Sequence, residues 1–149
     1  MTEEQQKLLQ KIYIEQQMTE SNLNLLQQRI EIIQVYITNY RAGLSVLEEI
    51  ESKKDGEEML MNVGGNIYVQ AKLVNPEKVT RGLGSGVRIE QSLVDAKAAV
   101  KDAVSSLEQQ YDTLTQEYQK LIARASVLNS QFQQLAAKIQ GTKSPVEED

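Results

Sequence analysis

The chain has 149 residues and a formal charge of −5, and it contains neither histidine nor cysteine. Those absences remove the usual general base, the commonest metal ligand, the thiol nucleophile and any disulfide, and the acidic balance disfavours nucleic acid, whose binding needs clustered Lys and Arg. With room for about one domain and no stretch near the roughly 20 apolar residues of a membrane span, the sequence reads as a cytosolic, soluble, non-enzymatic chain. No cofactor, metal or membrane is expected.

A first helix is expected over about 2–52. Thr2-Glu3-Glu4-Gln5 places a cap and early acidic residues at the positive end of the helix dipole. Leu23, Leu26, Ile30, Ile33, Ile37, Tyr40, Leu44 and Leu47 then alternate at spacings of three and four, the 3.5-residue period of a coiled-coil seam. Lys53 and Lys54 suit the negative end of the dipole, and Asp55-Gly56 supplies a stop.

Composition changes abruptly over about 57–90, which is rich in Gly and β-branched residues. Gly64-Gly65-Asn66 reads as a tight turn, after which Ile67, Val69, Ala71 and Leu73 alternate with Tyr68, Gln70 and Lys72. Asn75-Pro76-Glu77-Lys78 makes a second turn. Val79 to Leu83 forms a third short strand, and Gly84-Ser85-Gly86 turns into Val87-Arg88-Ile89. Gly82-x-Gly84-x-Gly86 has neither the spacing of a dinucleotide fingerprint nor the Lys-Ser/Thr of a P-loop, so a hairpin turn is the better reading.

The second helix is expected over about 92–140, capped by Ser92 and ended by Gly141. Its seam runs through Val100, Val104, Leu107, Tyr111, Leu114, Tyr118, Leu121, Ala125, Leu128, Phe132, Leu135 and Ile139 without a gap. Residues 142–149, with Pro145 and three terminal acids, read as a disordered tail. Because the β segment returns the chain to where it left, the helices must pack antiparallel. Arms of about 45 to 50 residues, rising 1.5 Å each, extend roughly 70 Å. The fold class is mostly α with a small β unit: a single domain over 1–149, in which a long antiparallel two-helix coiled coil is joined by two β-hairpins. Two-stranded hairpins are marginal alone and leave strand edges open, so partner subunits and closure into an oligomeric β-barrel are expected. The residues assigned to that contact are Ile67, Val69, Ala71, Leu73, Val79, Leu83, Val87 and Ile89.

The block Val63-Gly64-Gly65-Asn66-Ile67-Tyr68-Val69-Gln70-Ala71-Lys72-Leu73, continued by Asn75-Pro76-Glu77-Lys78-Val79 and Gly82-Leu83-Gly84-Ser85-Gly86 between heptad helices of similar length, resembles the α class of prefoldin subunits. Two hairpins look like the α class, whereas β-class members carry one. The resemblance implies two such chains and four β-class chains joined through a double β-barrel. It also implies capture of unfolded proteins without ATP and their transfer to a group II chaperonin. The alternative is a passive coiled-coil scaffold or adaptor subunit.

Spacing supplies its own argument about the free end of the arms. Continued toward the N-terminus, the first seam places Thr19 and Gln16 at core positions, followed by Ile12 and Leu9. Closing the pair there is expected to bury polar groups against Leu128 and Phe132, at about 1 to 3 kcal/mol for each unsatisfied group, so splaying should be cheap. Leu8, Tyr13, Ile14 and Met18 fall at flanking or outward heptad positions. The expected client-binding residues are therefore Leu8, Leu9, Ile12, Tyr13, Ile14, Leu128, Phe132, Leu135 and Ile139. Met18, Leu25, Ile32 and Val46 recur at one outward position whose role the spacing leaves open.

Overall fold

The structure, a computed structural model, describes residues 2–141; the tail expected over 142–149 lies outside them. Helix α1 spans Glu3–Glu51, strands β1 Glu58–Gly64, β2 Ile67–Lys72, β3 Lys78–Gly84 and β4 Val87–Ser92 follow, and helix α2 spans Leu93–Gly141. The chain divides into a terminal unit, Met1–Ile33 with Gln110–Asp149, and a central unit, Gln34–Gln109.

Local chemistry explains the ends of the elements. At the start of α1 the Gln5 N–H donates to Thr2 Oγ1 at 3.3 Å and the Thr2 N–H donates to Gln5 Oε1 at 3.0 Å, a reciprocal capping box. At its other end the Ser52 and Lys53 N–H groups donate to the Glu49 and Ile50 carbonyls at 3.3 and 3.0 Å, and Gly56, in the link to β1, adopts a φ of 78°, which favours glycine. Ser92 Oγ accepts from the Asp95 N–H at 3.1 Å and so caps α2.

In the central unit, β1 pairs antiparallel with β2 and β3 with β4, giving two separate two-stranded sheets. The two hairpins have the same construction, landmark for landmark, twenty residues apart. Each has a bulge just before its turn, between Asn62 and Gly64 in the first and between Gly82 and Gly84 in the second. Each turn then holds three successive residues at positive φ, Gly64-Gly65-Asn66 and Gly84-Ser85-Gly86. Two adjacent positive φ values define the type I′ turn, whose twist matches that of the flanking strands. Beyond the strands, the Leu73 N–H donates to the Glu57 carbonyl and the Leu93 N–H to the Glu77 carbonyl, at 3.0 and 2.7 Å.

In the terminal unit, Ile12 and Leu26 of α1 and Leu128 of α2 are buried, and Leu128 has no exposed surface at all. Leu9, Leu23, Ile30 and Ile33 of α1, with Leu114, Tyr118, Leu121 and Ala125 of α2, are half-buried, as a two-helix seam allows. Thr19 corrects the expectation of an uncompensated polar group at the seam. It is only 5% exposed, yet its hydroxyl donates to the Glu15 carbonyl at 2.8 Å within its own helix. Closing the pair at Thr19 therefore orphans no hydroxyl, and the inference of cheap splaying loses its basis at this position.

Two glycines allow the backbone argument to be tested without steric interference. A Cβ at Gly43 or at Gly64 would meet no atom within 4 Å, but Gly64 has a φ of 101° and Gly43 sits inside α1. Gly43→Ala should stabilise the chain by up to about 1 kcal/mol. Gly64→Ala should destabilise it by about 1 kcal/mol or more. Thermal denaturation followed by circular dichroism checks both signs.

Candidate interaction surfaces

The hairpins expose nearly everything they carry. Ile67, Val69, Leu83, Val87 and Ile89 are exposed, and Ala71, Leu73 and Val79 are half-buried. The register puts Met59, Met61, Val69 and Ala71 on one face of the first hairpin, with Leu60, Tyr68 and Gln70 on the other. Large apolar groups stand on both faces, since Leu60, Met61 and Tyr68 are all exposed. The second hairpin differs. Val79, Arg81 and Ile89 share one face, where Arg81 Nε donates to Gln91 Oε1 at 2.8 Å, while Lys78, Thr80, Arg88 and Glu90 occupy the other.

Sequence reasoning missed β1 as a contributor. Leu60, Met61 and Val63 are exposed apolar residues whose only sequence signal was their pairing position across the Gly65-Asn66 turn. Val74, at the link between the hairpins, is 85% exposed.

Where the helices meet the hairpins, Lys97 Nζ of α2 donates to Glu51 Oε2 of α1 at 2.6 Å. That hydrogen bond holds the Glu51 carboxyl below its ordinary value and the Lys97 ammonium above its own. The two contributions are lost at opposite ends of the pH scale. The carboxylate's is present above the ordinary Glu value and disappears as pH falls through the lowered one. The ammonium's is present below the ordinary Lys value and disappears as pH rises through the raised one. In Lys97→Met, the deficit in melting temperature relative to the unaltered chain should thus be largest between the two limits. It should shrink toward both the acid and the alkaline extreme, which melting curves recorded across pH will check.

In the terminal unit the expected client-binding residues separate into three groups. Leu8, Tyr13 and Ile14 are exposed, as is Met18. Leu9, Phe132, Leu135 and Ile139 are half-buried. Ile12 and Leu128, expected at seam positions and as client-binding groups, are buried: with the helices closed they are the core of the pair. Leu8 and Leu135 line one shallow groove across the pair, and Ile14 and Met18 lie beside Lys7 and Lys11 in another depression on α1. Close to these residues Arg124 of α2 reaches Glu15 of α1, with Nε 2.8 Å from Oε1 and Nη2 donating to the same oxygen. The outward series Met18, Leu25, Ile32 and Val46 is exposed throughout.

Among the described residues no group of His, Cys, Asp and Glu could hold a metal ion, and no helix is long and apolar enough to cross a membrane.

Two long helices bracketing two hairpins that bury little of their own apolar surface define a class of coiled-coil subunit with interfaces left to be completed by other chains. Residues 19–138 match the family model described as Prefoldin subunit. The chain belongs to the prefoldin family, a family of chaperone subunits. It is 29% identical over 124 residues to the prefoldin subunit alpha of Archaeoglobus fulgidus, covering 83% of this chain and 88% of that one. It is 29% identical over 121 residues to the prefoldin subunit alpha of Methanobrevibacter smithii, covering 81% and 82%. Among solved structures, the filamentous PFD from Methanocaldococcus jannaschii superposes with a TM-score of 0.62 at 21% identity, over 77% of this chain and 95% of that one. The prefoldin beta subunit from Thermococcus strain KS-1 gives 0.56 at 19% identity, over 93% and 95%. Both share its fold of long helices joined through small antiparallel hairpins.

Proposed function

We propose that this chain is an ATP-independent holdase subunit of the cytoplasm. It captures unfolded proteins through apolar side chains near the ends of its helices and delivers them to a group II chaperonin. The hairpins join it to β-class subunits, two chains of this type with four of the other, through β-barrels closed by strands from several chains. The observation that carries the capture step is the exposure of Leu8, Tyr13, Ile14 and Met18 within the first turns of α1, Leu8 lining one groove with the half-buried Leu135. Large apolar groups left in water at a helix end gain roughly 1.5 to 3 kcal/mol each when fully buried by a client. Weak contacts from several subunits of one assembly then add through effective concentration. Unfolded chains, which expose apolar segments in no fixed order, suit such a surface better than a folded partner does.

The alternative, a passive scaffold, makes a different prediction for a chain trimmed to residues 19–127. Trimming removes the exposed group and the last two heptads of the α2 seam but leaves both hairpins. The trimmed chain should still assemble with its partner subunits, as judged by size-exclusion chromatography with light scattering. It should lose most of the suppression of aggregation that the full chain gives a chemically denatured protein. Equal protection by both forms would place capture elsewhere, and no protection by either would favour the scaffold.

A further inference from the structure

In the terminal unit the polar seam positions Gln16 and Thr19 separate two apolar stretches of α1, one running on from Leu23 and one ending in Ile12 and Leu9. The Glu15–Arg124 pair sits at this interruption, and a single residue serves two bonds there. The Glu15 carboxylate accepts from the Arg124 guanidinium of the facing helix, and its backbone carbonyl accepts from the buried Thr19 hydroxyl. Beyond it toward the chain ends, α1 offers only Leu9 and Ile12 to the seam, against Leu128, Phe132, Leu135 and Ile139 of α2. This imbalance explains why Phe132, Leu135 and Ile139 stay half-buried, while Ile12 at 6% exposure and Leu128 at zero are buried. The segment is short, terminal and sparsely packed, which are the marks of a low-stability unit able to open locally while the rest stays folded.

We propose that the Glu15–Arg124 pair is a salt-sensitive latch: it holds the helix ends closed over Ile12 and Leu128, and its release uncovers these two side chains as a second apolar surface. Closed, the ends present Leu8, Tyr13 and Ile14; open, they add the two best-shielded groups of the unit. The latch is weak by design of its surroundings, because both partners are partly exposed and such pairs contribute little and are screened by salt. Only a weak pair leaves the open state accessible. That opening enlarges the client surface rests on the capture reading above; the latch itself does not.

Hydrogen exchange of the full-length chain tests the latch without any client. In Arg124→Gln, amides in segments 8–14 and 126–134 should exchange two- to fivefold faster together, while segments 44–51 and 93–104 of the central unit keep their rates. Raising the salt from low to high concentration should accelerate the same two segments in the unaltered chain but not in Arg124→Gln. The exchanged pair Glu15→Arg with Arg124→Glu should restore slow exchange. The chain has no cysteine, so Leu128→Cys supplies a single thiol whose rate of labelling reports the uncovering of that position directly, and adding Arg124→Gln should raise that rate by a similar factor. Unchanged exchange in Arg124→Gln, acceleration spread through the central unit, or failure of the exchanged pair to restore protection would each overturn the latch. If the latch holds but client protection is lost only by trimming, the capture reading stands and the second surface is not used; if the latch holds and neither form protects, the capture reading alone fails.

Discussion

A two-stranded sheet has two faces and two outer edges, and in the hairpins of this chain only Met59 is buried, while most other large apolar groups stay uncovered. Met61, Ile67, Val69, Leu60 and Tyr68 of the first hairpin and Leu83, Val87 and Ile89 of the second all remain exposed. The backbone turns are well made, with paired positive φ values and a bulge that strengthens the local twist, so the hairpins are set in shape before they have anything to pack against. On the proposed reading, the missing burial comes from other chains. Membership of the prefoldin family and the match to solved subunits of that fold agree with a piece designed to be completed by its neighbours.

The helices pose the opposite problem and solve it internally. Most seam residues of the helices are buried or half-buried, with Tyr40 of the central unit an exception that stays exposed, and the leftover apolar groups are unevenly shared. Helix α1 leaves Ile14, Met18, Leu25, Ile32, Val35 and Tyr36 exposed, whereas α2 leaves only Val94, Ile122 and Val127 among its described large apolar residues. One helix of the pair therefore carries most of the unsatisfied apolar surface. A chain that leaves so much apolar surface uncovered on its hairpins and on one helix has that surface available for contacts outside itself.

Much of this was legible from the order of residues. The alternation of three and four in Leu23 to Leu47 and in Val100 to Ile139 specifies two seams, and Gly64-Gly65-Asn66 and Gly84-Ser85-Gly86 specify two turns, because those patterns depend on local periodicity and backbone sterics alone. Leu60 and Met61 were not legible, since a strand in which both faces are apolar has no alternation to betray it. Thr19 misled for a related reason. Polarity at a seam position was visible, but a hydroxyl that turns back to the carbonyl four residues earlier satisfies itself, and only the rotamer shows that. The Glu15–Arg124 pair lies beside the seam and depends on the register of one helix against the other, which heptad spacing leaves open.

Assembly through the hairpins requires that strands of other chains complete them. Hydrogen exchange resolved at single amides of β1 to β4, in the chain alone and in complex with co-expressed β-class subunits, is the most direct measurement. The amides on the outer edges, which lack a strand partner in the isolated chain, should become protected in the complex together with those already paired across each hairpin. A complex that forms while the outer-edge amides exchange as fast as before would show that the subunits meet elsewhere, and the hairpins would not be the elements that join them.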